Sequence, residues 1–305
     1  MTNARNPPAV SAAVMPITGS QGDERRLARA ARRASPDYQK AWFSAPAALL
    51  IAGVFIVPLL IVLFQSVTRD SFSLEGYQRI LGSTLFWRIL QTTLEITVGA
   101  VLLSLLLGYP IAYFIAQLRP MQRAIAMIVV LLPFWTSILV KSFAFIVILG
   151  ERGIVKSMLS QVFGYELATP LMFSRIGVMI GMVHFLIPFC VFPIVNNLLA
   201  QPPELRRAAL IMGASRRQAF LRVTLPLSLP AMVAGAVMTA VLSIGVFVTP
   251  ALLGGRRDMM LANLIDYYTR EALDWNMAAA LSVLLLGVSG SLIWILSTVD
   301  SLDRN

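Results

Sequence analysis

The chain has 305 residues, of which 57% are hydrophobic and only 13% are charged, and its mean hydropathy is +0.76. Soluble domains carry roughly 25% charged residues, so this composition excludes an ordinary water-soluble globular protein. The formal net charge of +10 does not indicate nucleic-acid binding, because no aromatic residues interleave with the basic clusters as base stacking requires.

The first segment, residues 1–41, is predicted to be a basic and largely disordered cytoplasmic tail. Its early part is rich in proline and glycine, and the run ERRLARAARRAS follows. This run is either a solvated topogenic segment or a short helix that lies on anionic lipid. The first apolar run starts too late and is too long for a cleavable signal peptide, so it is expected to be a retained anchor.

Residues 42–299 are predicted to form one transmembrane domain. Runs of about 20 residues with almost no charge indicate membrane spans, so the fold class is all-α and integral to the membrane, with six transmembrane helices. The predicted spans are 42–67, 93–118, 124–149, 176–199, 227–250 and 277–299. A polar loop, 200–226, joins spans four and five, and residues 300–305 form a second short tail.

The distribution of basic residues predicts the orientation of the spans. Of the 25 Lys and Arg residues, 15 lie in the tails and loops on one side and 9 on the other, while Lys141 falls inside the third span. Basic residues accumulate in short cytoplasmic loops. Both termini are therefore expected in the cytoplasm, which agrees with an even number of spans.

Motifs for catalysis are absent from the sequence. It has no G-x-x-x-x-G-K-[ST] phosphate loop, no H-E-x-x-H and no metal-spaced cluster of cysteine and histidine. The single histidine, His184, and the single cysteine, Cys190, both fall in the fourth span. We expect no enzyme activity and no metal site, so the energy for any uphill transport comes from a partner or an ion gradient.

The loop 200–226 is predicted to fold as helix, glycine turn, helix. The pair Pro202–Pro203 suits a first helical turn, and Glu204 suits the positive end of the helix dipole. Gly213 stands where a left-handed C-terminal cap needs glycine. Ser215 and Gln218 have the spacing of a capping box, which starts the second helix.

The first helix of this loop is predicted to present a small apolar side with arginines around it. The apolar residues are Leu205, Ala208, Ala209 and Met212. A surface of this kind is suited to a groove on a partner protein.

The same loop resembles the EAA signature of ABC importer permeases, which runs E-A-A, three residues, G, nine residues, I-x-L-P. The matching positions, without a gap, are Arg207, Ala208, Ala209, Gly213, Val223, Leu225 and Pro226. The family glutamate is Arg207 here, and Glu204 is not in register to replace it. The resemblance implies that this loop, including Ala214 and Ser215, is the coupling helix that docks into an ATPase subunit, whose surface would carry a compensating change opposite Arg207.

Four further segments resemble the spermidine/putrescine, PotB-like branch of these permeases. They are GYPIAYFIAQL, LPFWTSILVKSFAF, GMVHFLIPFCVFPIVNNL and FVTPALLGG. The resemblance implies the type I ABC importer permease fold in a bacterial inner membrane. It also implies two ATP-binding subunits that bind ATP and Mg, a second, PotC-like permease subunit, a periplasmic substrate-binding protein and surrounding membrane lipid.

Other cargoes and another transport class stay open at this point. Relatives that carry opines, phosphonates or ferric ion share much of the pattern. An ion-coupled secondary transporter would also be built of apolar spans, but broken half-helices in paired positions and charged relays are expected there, and neither is evident in the sequence.

Polar residues within the spans are the candidates for the substrate path, because they are costly in a bilayer and usually face the bundle interior. Glu95 would pair with an ammonium group and Trp135 would offer a cation–π face, or Glu95 pairs with Lys141 and Trp135 is core. Lys141 favours an anionic or zwitterionic cargo, and His184 is a ligand or a packing residue. In an outer loop, Asp266 attracts a cation, contacts the binding protein, or belongs to an amphipathic helix on the membrane surface.

Overall fold

The structure of the chain is a computed structural model that describes residues 38–68, 72–163 and 171–302. Most of the predicted basic tail, and the last three residues of the short C-terminal tail, lie outside these ranges.

The chain divides into two compact units, Met1–Pro58 and Leu59–Asn305. In the first unit the described residues all belong to helix α1 (Tyr38–Val67), where large apolar side chains such as Leu50 and Phe55 are exposed. Apolar side chains over a whole turn of a helix are stable in lipid and not in water. The second unit contains the end of α1 and the helices that follow.

The second unit is helical over the described residues, so the all-α prediction is confirmed. Its elements after α1 are α2 (Glu75–Gly82), α3 (Thr84–Gln117), α4 (Pro120–Trp135), α5 (Ile138–Leu149), α6 (Ile154–Phe163), α7 (Arg175–Ala200), α8 (Pro203–Ile211), α9 (Arg216–Ala219), a π-helical turn (Phe220–Thr224), α10 (Leu225–Gly245), α11 (Val248–Leu253), α12 (Leu261–Arg270) and α13 (Trp275–Leu302).

Five stretches of helix within the described residues are long and apolar enough to cross a bilayer. They are Leu49–Val67, Thr84–Gln117, Arg175–Ala200, Arg216–Gly245 and Trp275–Trp294. A sixth crossing is obtained when α4 and the helical segment after it, which meet at a bend of 92°, are counted as one broken span. The number of spans predicted from the sequence therefore includes one that is not a single helix.

The break between α4 and α5 falls inside the predicted third span, 124–149, which is not continuous in the structure. Thr136, in extended conformation, ends α4. The carbonyl oxygen of Pro133, left without a partner in the helix, accepts hydrogen bonds from Thr136 Oγ1 at 3.0 Å and from Lys141 Nζ at 2.5 Å. Side-chain donors at the last carbonyls of a helix satisfy groups that lipid cannot, so these two residues stabilise the break.

The core of the second unit lies where α3, α7 and α10 pack against each other. Cys190 in α7 is fully buried there, and the neighbouring helices come close because they carry glycine. A Cβ atom added to Gly235 would lie 3.3 Å from the Cys190 backbone, and one on Gly108 would lie 3.4 Å from Cys190 Sγ. Small residues let helix backbones approach in membranes.

Gly177 and Gly181 in α7 form the sequence pattern that predicts close helix packing. A Cβ atom on Gly181 would come within 2.7 Å of the side chains of Leu253 and Thr249 in α11. The packing role is confirmed for Gly181, and its neighbour is the short helix α11.

Candidate coupling surface and transport-path residues

Helix α8 ends in a left-handed turn at Gly213. The Gly213 N–H donates to the Leu210 carbonyl at 3.1 Å, and the Ala214 N–H donates to the Ala209 carbonyl at 3.0 Å. These two bonds form a Schellman motif. Gly213 has φ +89° and open space around its Cα, so glycine is required there by backbone conformation and not by crowding.

Helix α9 begins immediately after this turn with the predicted capping box. The Gln218 N–H donates to Ser215 Oγ at 3.2 Å, and the Ser215 N–H donates to Gln218 Oε1 at 2.8 Å. The prediction of helix, glycine turn, helix for this loop is confirmed. We call residues 203–219 the coupling segment.

The exposed apolar side chains of the coupling segment lie at its turn. Ile211 is 87% exposed and Met212 is 81% exposed, and both lie within the Schellman motif. The sequence predicts Ala208 and Ala209 on the same apolar side of α8. In the structure Ala209 is buried beneath the helix, whereas Ala208 is exposed. Ile211, the last residue of α8, was missed because it does not share the helical spacing of Leu205, Ala208 and Met212.

The coupling segment also carries exposed charged residues. Glu204 stands in the first turn of α8, and Arg207, at the family glutamate position, is exposed together with Arg216 and Arg217. Within the described part of the chain none of the four forms an ion pair. The exposed surface of the coupling segment therefore combines an apolar turn with predominantly basic side chains.

A π-helical turn connects the coupling segment to α10. Phe220, the first residue of this turn, packs edge-on against Tyr113 and Tyr109 of α3, with ring centroids 4.9 and 6.0 Å away. Tyr109 is also hydrogen-bonded to Ser228 of α10 at 3.0 Å. Phe220 thus holds the coupling segment against α3 through two aromatic contacts, which the linear sequence did not reveal.

The last three positions of the EAA pattern lie beyond Phe220. Leu225 packs against the core around Cys190, Val223 is half-buried and Pro226 is exposed in the first turn of α10. The end of the pattern therefore anchors the coupling segment rather than extending its exposed surface.

Glu95 in α3 pairs with Arg175 at the start of α7, and not with Lys141 as the structural alternative predicted. The Arg175 guanidinium donates to Glu95 Oε2 and, at 3.2 Å, to Asp258 Oδ1, while Gln91 Nε2 donates to Glu95 Oε1 at 2.8 Å. Asp258 Oδ2 accepts the Gly255 N–H at 3.1 Å. Both Glu95 oxygens are engaged, so this network braces α3, α7 and the loop before α12.

Lys141 and Trp135 lie on either side of the break between α4 and α5. The Lys141 ammonium, besides its bond to the Pro133 carbonyl, lies 5.1 Å from the centre of the Phe185 ring. Trp135 is 76% exposed, which excludes the prediction that it is core within this chain. A lysine at the negative end of a helix dipole is stabilised there.

His184 packs edge-on against Phe145, with ring centroids 5.3 Å apart. Its Nδ1 atom is buried and has no hydrogen-bond partner among the described residues. Packing is the contact that the structure gives this residue.

Asp266 forms an ion pair with Arg270 one turn later in α12, at 2.7 Å. The amphipathic helix predicted for this loop is present, but Leu261 and Leu264 on its apolar side pack against α13 and α3. Protein, and not lipid, covers those two side chains. The structure gives Glu95, Lys141 and Asp266 separate partners and does not bring them together in one site.

Comparison with known proteins identifies the family of this chain. Residues 105–301, more than half of the sequence, match the family described as binding-protein-dependent transport system inner membrane component. The chain belongs to this family. The predicted membership in the importer permeases is thereby confirmed.

Individual relatives agree with this assignment. The spermidine/putrescine transport system permease protein PotB of Salmonella typhimurium is 31% identical over 253 residues, which cover 81% of this chain and 88% of that protein. Among solved structures, a bacterial ABC transporter that imports the acidic polysaccharide alginate matches with a TM-score of 0.72 at 17% identity, over 90% of this chain and 98% of that one. A bacterial alginate ABC transporter in complex with an alginate pentasaccharide-bound periplasmic protein matches with a TM-score of 0.67, also at 17% identity, over 87% of this chain and 96% of that one.

Proposed function

We propose that this permease component is a subunit of an ATP-driven importer for polyamines of the spermidine and putrescine type. The observation that carries the mechanism is the coupling segment, because it presents two exposed apolar side chains, Ile211 and Met212, at a rigid turn. An exposed apolar patch with a charged rim is typical of a surface that docks on protein.

The partners follow from this role. Two ATP-binding subunits bind ATP and Mg and hydrolyse the nucleotide, a second, PotC-like permease subunit completes the translocation path, and a periplasmic binding protein delivers the substrate. The chain itself is not an enzyme. It lies in the bacterial inner membrane with both termini and the coupling segment in the cytoplasm, as the excess of basic residues on that side indicates.

Closure of the ATPases on ATP would push the coupling segment. That segment continues without interruption into α10, as one helical stretch Arg216–Gly245, and it contacts α3 through Phe220. A displacement at Gly213 therefore reaches α10 along the helix axis and α3 through the aromatic contacts. Rigid elements with defined contacts are the means by which such a movement couples two sites.

The polyamine assignment is supported by the similarity to PotB over four fifths of the chain. Among the path candidates, Trp135 offers an exposed aromatic face for an ammonium group, whereas Glu95 is committed to Arg175. Opine, phosphonate or ferric-ion import by the same machinery are the competing cargoes.

The test is purification of this chain from its native membrane, followed by reconstitution of the assembly into vesicles. We expect an ATPase and a second permease to copurify, and ATP hydrolysis to be stimulated by the binding protein loaded with spermidine or putrescine. An opine, a phosphonate or ferric ion in place of the polyamine serves as the control.

Two results would contradict this proposal at different levels. Stimulation by another cargo alone would overturn the polyamine assignment and leave the importer class intact. Uptake that stops when the proton gradient collapses, while ATP is still present, would instead indicate an ion-coupled carrier, for which the break between α4 and α5 would be the relevant feature.

A further inference from the structure

A cavity of about 610 Å³ opens between the coupling segment and the helices that it joins. Its walls come from the last turns of α3 and α7, from α8 and from the first turn of α10. Cavities of this volume are in the range that holds a ligand of drug size.

The cavity is amphipathic. Arg206 and Arg207 contribute to its lining, and neither forms an ion pair within the described residues. Five leucines dominate the apolar part of the lining: Leu198, Leu199, Leu205, Leu210 and Leu227. Two cations beside an apolar wall call for a ligand that has an anionic group and a hydrocarbon part.

The position of the cavity indicates the source of such a ligand. Gln117 is the last residue of α3, and Leu199 lies in the last turn of α7. Two membrane-spanning helices therefore end at this level, and α10 begins there at Leu225. The phosphates of a bilayer leaflet lie at the depth where spans end, and basic side chains at this depth bind anionic head groups.

We propose that this cavity binds an anionic phospholipid, with the phosphodiester group on Arg206 and Arg207 and the acyl chains along the leucines. The lipid neutralises Arg207, which occupies the position of the family glutamate. The charge reversal is then balanced within the membrane, and the ATPase surface needs no compensating change. The proposal depends on the chain being a membrane protein and not on which solute it carries.

The test is native mass spectrometry of the full-length chain with palmitoyl-oleoyl phosphatidylglycerol, with the matching phosphatidylcholine, and with inorganic phosphate alone. We expect one phosphatidylglycerol to be retained in preference to phosphatidylcholine. The double variant Arg206→Gln/Arg207→Gln should weaken its binding by about 30-fold, since each basic residue near an anionic surface contributes to binding.

The matched control is Arg216→Gln/Arg217→Gln, which removes the same charge from the same segment but from residues outside the cavity lining. Retention within about twofold of the unmodified chain is expected for this control. Equal loss in both double variants would overturn the proposal in favour of non-specific attraction, and binding of inorganic phosphate without lipid would overturn the lipid assignment.

One further measurement separates the lipid from a protein acid as the partner of Arg207. The same retention is measured in the assembled transporter with its ATPase subunits. Retained phosphatidylglycerol supports the proposal, whereas its release on assembly would show that acidic side chains of the ATPase take its place. Failure of ATP-coupled transport would leave this result unaffected.

Discussion

The shape of the coupling segment depends on single residues, and Gly213 is the one at which substitution is most restricted. A residue with a side chain in left-handed conformation costs about 1–2 kcal/mol. The surroundings of Gly213 are open, so any effect of substitution on stability comes from the backbone and any effect on docking comes from the new side chain.

We predict that Gly213→Glu inserts into the membrane but abolishes the stimulation of ATP hydrolysis by loaded binding protein. The added negative charge and the altered turn would displace Ile211 and Met212 from the groove expected on the ATPase subunit. Gly82→Glu, at a glycine that also has open surroundings but no positive φ, should retain full stimulation.

Gly213→Asn separates the two causes, because asparagine tolerates the left-handed region better than other side chains. It should retain most of the stimulated rate. Normal stimulation in Gly213→Glu would contradict a docking role for this turn.

At the scale of elements, the π-helical turn and its Phe220 contacts decide whether movement of α8 and α9 reaches α3. The predicted caps of α8 and α9 could be recognised in the sequence because capping is local, depending on residues three or four positions apart. The contacts of Phe220 with Tyr109 and Tyr113 could not, because they join residues more than a hundred positions apart by tertiary packing.

We predict that Phe220→Ala lowers the free energy of unfolding by about 2–3 kcal/mol, because a half-buried aromatic ring is removed. It should also lower the amount of substrate transported per ATP, since the π-helical turn loses its contact with α3. The unfolding midpoint and the ratio of uptake to hydrolysis in vesicles measure the two effects.

The neighbouring substitution Leu221→Ala is the control, because Leu221 is exposed. It should change both quantities little. An unchanged ratio of uptake to hydrolysis in Phe220→Ala would show that movement does not pass through this contact.

Also at the scale of elements, the break in the predicted third span is a feature that a hydropathy average does not detect. Residues on both sides of the break are apolar, so the average over 20 residues contains no sign of it. The signal was Pro133 followed by Thr136 and Ser137, a proline and two hydroxyl residues whose side chains compete for backbone bonds. Four of the predicted spans correspond to single helical stretches, although the second begins at Thr84 and not at residue 93. The predicted fifth span, 227–250, is wrong at its end, because α10 stops at Gly245 and residues 248–250 already belong to α11.

At the scale of the whole molecule, the network around Arg175 joins distant parts of the second unit. It connects α3, the start of α7 and the loop before α12. The sequence indicated Glu95 as a residue in need of a partner, but the identity of that partner depends on how the helices are arranged in space. In the sequence, Arg175 stands out only as a basic residue directly before the predicted fourth span.

We predict that Arg175→Gln destabilises the protein by about 2–4 kcal/mol, because it leaves the nearly buried Asp258 carboxylate without its cation. Glu95→Gln should destabilise it clearly less, because Glu95 is about half exposed and its pair is screened by solvent. Thermal unfolding of the two variants in the same detergent measures this difference. Equal losses would show that Asp258 is satisfied without Arg175.

The burial of Cys190 has a practical consequence for spectroscopy. The chain contains one cysteine, and it is packed between glycine-bearing helices out of reach of a hydrophilic maleimide. Met212→Cys would therefore place a single reactive thiol on the exposed tip of the coupling segment, with no need to remove the native one. A fluorophore attached there would report, in real time during ATP hydrolysis, when the tip binds the ATPase subunit and when it is released.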